Sequence, residues 1–430
     1  MRDTVWKAPT VNSPVNADLK IPGSKSQTNR ALVLAALSEG SSTITNPLIA
    51  RDTLLMKTAL ESLGTTIEES SHSWHVTPQI LQGDRTIDCG LAGTVMRFLP
   101  IVSALAMGDT LFDGDLQARQ RPMGVTIESL RQLDIDVSNT DSRLPFTVHG
   151  KGSVTGRGVE IDASESSQFV SALLLAGARF RNGIEIHHRG EIIPSLPHID
   201  MSISMLEKHN VQVECIFDSS EDIKWKIEPS KILAHNWEIE PDLSNALPFL
   251  AAAMVTGGSI TIRDWPQQST QPGWKAPQLL QKMGAVFRLD DAGLTLHGPE
   301  SINGIDENLS DVGELTPVLV ALAALADAPS HFYGISHLRG HETNRLEALT
   351  LEFTKCGGNV VETADGLKII PSKLHGSEFE TYNDHRMVMT ASVLGLVIPE
   401  IHIVNPDTVS KTLPEFRKLW SSMLGIDHAL

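Results

Sequence analysis

The sequence predicts a two-domain α/β protein assembled from six repeated units, three in each domain. Three observations predict it. The chain is 430 residues long, beyond the roughly 250–300 residues at which a single core stops growing. Two series of helix-like segments recur along it with a common period, and short β-type segments fill the intervals. Its 41% hydrophobic and 20% charged residues are the balance of a globular chain, not of a disordered or collagen-like one.

The first series is apolar almost all round, the pattern of helices buried on every side. Its copies open near Lys25, Leu91, Ser166, Leu243, Gly313 and Tyr382, at intervals of 66 to 77 residues. The second series is amphipathic and belongs at the surface. It opens near Arg51, Arg121, Pro197, Pro272, Glu342 and Leu413, at intervals of 70 to 76 residues. Each copy of the second series ends near a glycine, asparagine or aspartate, and most run into β-type sequence, as in Gly284-Ala-Val-Phe-Arg and Gly358-Asn-Val-Val-Glu. Gly258-Ser-Ile-Thr-Ile-Arg and Gly183-Ile-Glu-Ile-His-His read as further strands. His187 and His188 belong to such a strand or its turn, because no metal-ligand spacing accompanies them.

Several function classes are excluded or disfavoured. The apolar runs Val318–Ala326 and Phe249–Val255 fall short of the roughly 18 residues of a membrane span. The opening Met1-Arg-Asp-Thr-Val-Trp-Lys7 lacks the apolar stretch of a signal peptide, so a cytoplasmic protein is expected. Cys89, Cys215 and Cys356 are too far apart for a disulfide framework or a cysteine-rich metal site. A net charge of −17 opposes non-specific nucleic-acid binding, yet a small anion responds to a local cluster of cations rather than to the total. Gly23-Ser-Lys-Ser26 is no Walker loop, since position 18 is Asp and no glycine directly precedes Lys25.

The chemistry gathers at the helix openings. A helix N-terminus presents unpaired N–H groups and about half a positive charge, which attract phosphate or carboxylate. Lys25 and Arg30 flank Ser26, Gly93-Thr94 lets backbone amides approach a ligand, and Arg97 follows one turn on. Arg121, Arg345 and Arg386 are placed at three further openings, and Lys411 just before the last. Ser166, Ser167 and Gln168 add neutral donors. Singly, each cation reads as a solvated charge. Cations prefer helix C-termini, so this many at N-termini point to a shared anionic ligand. Glu314, Glu342 and Asp384-His385 stand beside them as candidate general acids and bases.

Pro22-Gly-Ser-Lys-Ser-Gln-Thr-Asn-Arg30, Ala92-Gly-Thr-Val-Met-Arg97, Arg121-Pro122, Ser166-Ser-Gln168, Glu342-Thr-Asn-Arg345, Tyr382-Asn-Asp-His-Arg-Met387 and Lys411-Thr412 occur in this order. Together they resemble the 5-enolpyruvylshikimate-3-phosphate synthases of the enolpyruvyl transferase family, from about residue 20 to 415. The resemblance implies a two-domain inside-out α/β barrel of six β-α-β-α-β-β repeats. One lobe would take residues 22–239. The other would take 1–21 plus 240–430, with the active site in the interdomain cleft. It also implies the transfer of enolpyruvate from phosphoenolpyruvate to the 5-hydroxyl of shikimate 3-phosphate, in the pathway to chorismate and the aromatic amino acids. No cofactor, metal, nucleic acid or membrane is implied, and a monomer is expected.

By the same resemblance, shikimate 3-phosphate would meet Lys25, Ser26, Arg30, Ser166, Ser167, Gln168, Ser195, Glu314, His337 and His341. Phosphoenolpyruvate would meet Lys25, Gly93, Arg121, Gln168, Arg345, Arg386 and Lys411. Proton transfers would fall to Lys25, Glu314, Glu342, Asp384, His385 and Lys411. The chain departs from the usual family pattern at several of these positions: Glu314 stands for Asp, His341 for Lys, His337 for Asn and His198 for Tyr. Asn344, Leu91 and Phe98 are further departures. Gly93 keeps the small residue that sensitivity to glyphosate, a competitor of phosphoenolpyruvate in this family, requires. The sister enzymes that act on UDP-N-acetylglucosamine carry a reactive cysteine before their Arg-Pro motif. Here Gly114-Asp-Leu-Gln-Ala-Arg-Gln-Arg121-Pro122 has none. A catalytically dead anion-binding scaffold would have no need of Glu314, Glu342 and Asp384 together.

Overall fold

The computed structural model describes residues 4–138, 141–219 and 222–426. Among the described residues, twelve α-helices follow one another in two alternating kinds. They are α1 Lys25–Leu37, α2 Arg51–Ser62, α3 Gly93–Ser103, α4 Gly124–Gln132, α5 Gln168–Gly177 and α6 Pro197–Lys208. The remainder are α7 Leu243–Thr256, α8 Ala276–Lys282, α9 Thr316–Ala324, α10 Arg345–Lys355, α11 His385–Gly395 and α12 Phe416–Leu424. Odd-numbered helices are buried almost throughout; every residue of α9 and α11 is buried. Even-numbered helices bury one face, as in α10, where Leu346, Leu349 and Phe353 point inward while Glu347 and Leu351 are exposed.

The chain divides into two compact units, one of residues 23–239 and the other of residues 1–22 with 240–430. Each has its own hydrophobic core. In the 23–239 unit α1, α3 and α5 pack on one another; in the other unit α7, α9 and α11 do the same. Three apolar helices in mutual contact shield each other's sides from water, which is why their sequences need no polar face.

Around each trio the sheets repeat one pattern. In the stretch that follows Arg85–Asp88, α3 leads to Met107–Asp113, and α4 leads to Asp136–Ser138 and Phe146–Lys151. The first two strands pair in parallel and the last joins them antiparallel, with Asp136–Ser138 outermost. The sheets built around α5 and α9 repeat this order. The other three sheets are completed from far along the chain. Trp237–Glu238 supplies the parallel strand beside Ser42–Thr45, and Asn16–Leu19 supplies the one beside Ser259–Arg263. Val5–Lys7 joins His402–Val404 antiparallel in the last sheet.

Local chemistry sets the helix ends. Ser24 and Asp242 cap α1 and α7 by accepting from the Gln27 and Asn245 amides, and Gly257 and Gly425 end α7 and α12 in the left-handed region. One expected helix opening is corrected: Arg121 closes the short 3₁₀ turn Ala118–Gln120 in an extended conformation, and α4 begins at Gly124. Pro122 explains this, since a residue before proline is pushed out of the helical region. No helix among the described residues is long and apolar enough to cross a membrane.

His209, at the C-terminus of α6, ties the returning strand to the 23–239 unit. Its Nδ1–H donates to the Leu233 carbonyl at 2.6 Å and its Nε2 accepts from the Trp237 indole at 3.0 Å. The bond from Trp237 needs a neutral ring, because a protonated Nε2 has no lone pair to accept it, and burial pushes the His209 pKa down to about 4. An unfolded histidine titrates near 6.5, so between these values the unfolded chain binds the extra proton. The contribution is whole above pH 6.5 and is lost as pH falls toward 4, by about 1.4 kcal/mol per unit. Urea titrations of the unchanged chain and His209→Gln across pH 7 to 4.5 are expected to show their stability difference shrinking at that rate.

Candidate active site

In the 23–239 unit the N-termini of α1, α3 and α5 converge. Asn29 of α1 donates to the Thr94 hydroxyl of α3 at 2.7 Å. Arg97 of α3 donates to the Gln168 side-chain oxygen of α5 at 2.9 Å. Gly93 lies against all of this: a Cβ there would stand 3.0 Å from Arg97 Nη1, 3.1 Å from Gln168 Oε1 and 3.2 Å from Arg121 Nη2. Glycine thus keeps open a space edged by two guanidiniums and an amide. Arg121 is held there by donating to the Leu91 carbonyl at 3.2 Å. Ser166 accepts from the Gln168 amide at 3.3 Å, Ser167 is buried just ahead of α5, and Ser195 takes a left-handed conformation ahead of α6.

Lys25 opens α1 and pairs with Asp52 at 3.2 Å. Arg30, one turn further, is 1% exposed. Its guanidinium donates to the Ser202 and Ser171 hydroxyls, at 2.8 and 3.2 Å, and to the Ser26 and His198 carbonyls, at 3.1 and 3.0 Å. All four partners are neutral, and neither Arg30 nor Arg97 forms an ion pair among the described residues. Burial pushes Arg30 down to about 9, and burial together with the charge of Arg121 holds Arg97 well below its ordinary value. Buried positive charge met only by neutral dipoles favours the arrival of an anion.

The second unit gathers a cluster of different character. Arg345, the first residue of α10 and 1% exposed, donates to Asp384 through Nε at 2.7 Å and to Glu314 through Nη1 at 3.1 Å. Its Nη1 also donates to His341 Nδ1 at 3.1 Å. Arg386, near the start of α11, donates to the Ser244 carbonyl at the start of α7, at 3.0 Å, and its Nε lies 3.3 Å from Glu314. Glu342 lies 3.3 Å from His385 Nδ1 and 3.5 Å from Lys411 Nζ, which donates to the Asn383 carbonyl at 2.5 Å.

Charge in this cluster is balanced from within. Burial works to raise the Glu314 carboxyl, but the guanidiniums of Arg345 and Arg386 hold it well below the usual carboxylate range. Burial works to lower Arg345, but Asp384 and Glu314 raise it above its ordinary value. Burial, opposed by Glu314 and aided by Arg345, pushes His337 down to about 4, so its ring is neutral at pH 7. His337 and His341 stand with ring centres 5.6 Å apart, and His337 Nε2 is buried without a hydrogen-bond partner among the described residues. Glu342, Asp384 and His385 bring ligand-type atoms within 4.8 Å of one another. Asp384 already accepts from Arg345 and from the Arg386 amide, and Glu342 faces Lys411, so the trio reads as an ion-pair network.

The residues expected from the sequence thus divide between the two units. Lys25, Ser26, Arg30, Gly93, Arg121, Ser166, Ser167, Gln168 and Ser195 belong to the first; Glu314, His337, His341, Glu342, Arg345, Asp384, His385, Arg386 and Lys411 to the second. Sequence reasoning misses Asp52, the partner of Lys25, because an acid in the first turn of α2 is already accounted for by the helix dipole. It also misses Ser171 of the apolar α5 and Ser202 of the amphipathic α6, whose hydroxyls hold Arg30; nothing local in either helix marks its serine as a guanidinium partner.

The fold is that of the enolpyruvyl transferases. An EPSP synthase from Acinetobacter baumannii superposes with a TM-score of 0.79 at 22% identity, over 97% of this chain and 98% of that one. The enolpyruvyl transferase NikO from Streptomyces tendae superposes with a TM-score of 0.73 at 13% identity, over 98% of each chain. The family model described as EPSP synthase (3-phosphoshikimate 1-carboxyvinyltransferase) matches residues 9–420, and the chain belongs to that family. Its reaction is the transfer of the enolpyruvyl group of phosphoenolpyruvate to shikimate 3-phosphate, in aromatic amino acid biosynthesis.

Asp384→Asn tests the internal charge balance of the second cluster. An asparagine can still cap α11, but it leaves Arg345 facing a neutral amide where a carboxylate stood. Breaking a buried pair from one side costs roughly 3 kcal/mol, and a melting temperature lower by about 6–12 °C is expected in a thermal scan.

Proposed function

We propose that this chain performs the family's reaction by addition and elimination through a tetrahedral ketal phosphate, with both clusters serving one substrate pair. Shikimate 3-phosphate is held by Ser26, Arg30, Ser166, Ser167, Gln168 and Ser195 of one unit, with Glu314, His337 and His341 of the other meeting its ring hydroxyls. Phosphoenolpyruvate is held by Lys25, the Gly93 backbone, Arg121 and Gln168 of one unit and by Arg345, Arg386 and Lys411 of the other. Two multiply charged anions repel each other, and several fixed cations are needed to hold them together. The reading places the reaction in the cytoplasm, in a monomer that needs neither cofactor nor metal.

In the addition step, Glu314 with Lys25 takes the proton of the 5-hydroxyl as its oxygen attacks C2 of phosphoenolpyruvate. Glu342 delivers a proton to the methylene carbon, which becomes a methyl group. In the elimination step a methyl proton returns to Glu342, the double bond re-forms, and the C2–O bond to phosphate breaks, with Lys411 protonating the leaving oxygen. His385 restrains Glu342, and Asp384 acts through Arg345, which it holds from a fully buried position. The observation that carries this reading is the placement of the Glu342 carboxylate between His385 Nδ1 and Lys411 Nζ, at 3.3 and 3.5 Å. Two nitrogens that can donate favour the ionised carboxylate, so this setting stabilises Glu342 once its proton has passed to the methylene carbon.

Phosphate release on mixing the protein with both substrates, and with neither alone, tests the reaction; UDP-N-acetylglucosamine in place of shikimate 3-phosphate is expected to release none. Glu342→Gln is expected to lower kcat by about 10²–10⁴-fold, the range of a lost general acid, with the dissociation constants of both substrates within a few-fold of the original. Turnover near that of the unchanged enzyme would remove Glu342 from the proton path.

A further inference from the structure

Glu352 is buried in the second unit, and the proposed function does not use it. It lies on α10, the helix that opens with Arg345, and is 0% exposed. One carboxylate oxygen accepts from the Tyr382 hydroxyl at 2.5 Å and from Lys355 Nζ at 2.8 Å, and the other accepts from the Glu380 backbone N–H at 2.9 Å. Two of these three donors belong to residues 380–382, which lead into α11.

That segment has an unusual backbone. Tyr382 and Asn383 are successive non-glycine residues in the left-handed region, at φ +51° and +56°. Such a conformation persists where the surroundings determine it, and here Thr381 adds an anchor by donating to the Val404 carbonyl at 2.8 Å. The turn leads directly into the cluster. The Asn383 carbonyl receives Lys411, and Asp384 caps α11 while it accepts from Arg345.

We propose that Glu352 is a positioning residue for the reaction: through Tyr382 and the Glu380 amide it holds the left-handed turn that sets Lys411 and Arg345 in place. The inference rests on the proposed function, in which these two cations bind phosphoenolpyruvate. A carboxylate is required because all three neighbours are donors, and an amide would turn its own N–H₂ toward one of them. Burial and the bond to Glu352 push the Tyr382 hydroxyl above its ordinary value, so it stays protonated and donating.

Tyr382→Phe removes the donor while leaving the ring, and Glu352→Gln removes the second acceptor. Both are compared with Lys411→Ala by melting temperature, kcat and the KM of each substrate. For folded Tyr382→Phe the KM for phosphoenolpyruvate is expected to rise roughly tenfold, the size of one lost hydrogen bond to a charged group. The KM for shikimate 3-phosphate should stay within about twofold, a split that loss of general stability would not produce. The rise should largely vanish when Tyr382→Phe is made in the Lys411→Ala background. An unchanged KM for phosphoenolpyruvate in Tyr382→Phe, or an equal rise for both substrates, overturns the positioning role. Where Lys411→Ala itself leaves that KM unchanged, it is the assignment of Lys411 that falls, and the inference with it. Should Glu352→Gln fail to fold, Tyr382→Phe decides alone.

Discussion

A guanidinium taken out of water must be met by something, and the two units meet this constraint in different ways. Arg345 is met by Asp384 and Glu314, carboxylates of its own unit. Arg30 is met by two hydroxyls and two carbonyls, which satisfy its N–H groups and leave its charge uncompensated. A dipole stabilises a buried cation far less than an opposite charge at the same distance. The buried guanidinium Arg345 is therefore met by charge from its own unit, whereas Arg30 is met only by neutral dipoles, a setting that favours the arrival of an anion. This difference arises from which side chains the inner helices bring to their N-termini.

The repeat explains why the chemistry is at those ends. A helix packed among two like itself has no exposed face on which to display polar groups. Its termini are the places where backbone N–H groups and flanking side chains remain open, and so Lys25, Gly93, Gln168, Glu314 and Arg386 all cluster at or near the start of an odd-numbered helix. The amphipathic helices contribute differently: α10 opens with Arg345 and buries Glu352 two turns later. The same helix thus supports a cation of the cluster at one end and the turn before α11 farther along.

Much of this is legible in the sequence, because burial imposes a period that residue types must follow. The wholly apolar segments and their amphipathic partners mark all twelve helices, and the cations at the openings announce an anion. Strand partners are less legible. Nothing local in Asn16–Leu19 says that it pairs with Ser259–Arg263, since pairing across more than 200 residues is decided by packing. Arg121 reads as a helix opener because its amphipathic neighbours hide the stop that Pro122 imposes. Asp52, Ser171 and Ser202 escape notice because each has an ordinary explanation in its own helix. Glu352 looks like one more acid on an amphipathic helix, and its burial appears only when residues 380–382 are folded against it.

The borrowed strands also set an order of events during synthesis. Everything that the 23–239 unit needs has been translated once Trp237 and Glu238 emerge to complete the sheet of Ser42–Thr45. The amino-terminal residues cannot finish as early. Asn16–Leu19 must wait for Ser259–Arg263, and Val5–Lys7 for His402–Val404, the last strand among the described residues. Residues 5–19 are thus made before the 23–239 unit and find their place after it, and their unpaired edges stay available to chaperones, or to wrong partners, while the residues between are being made.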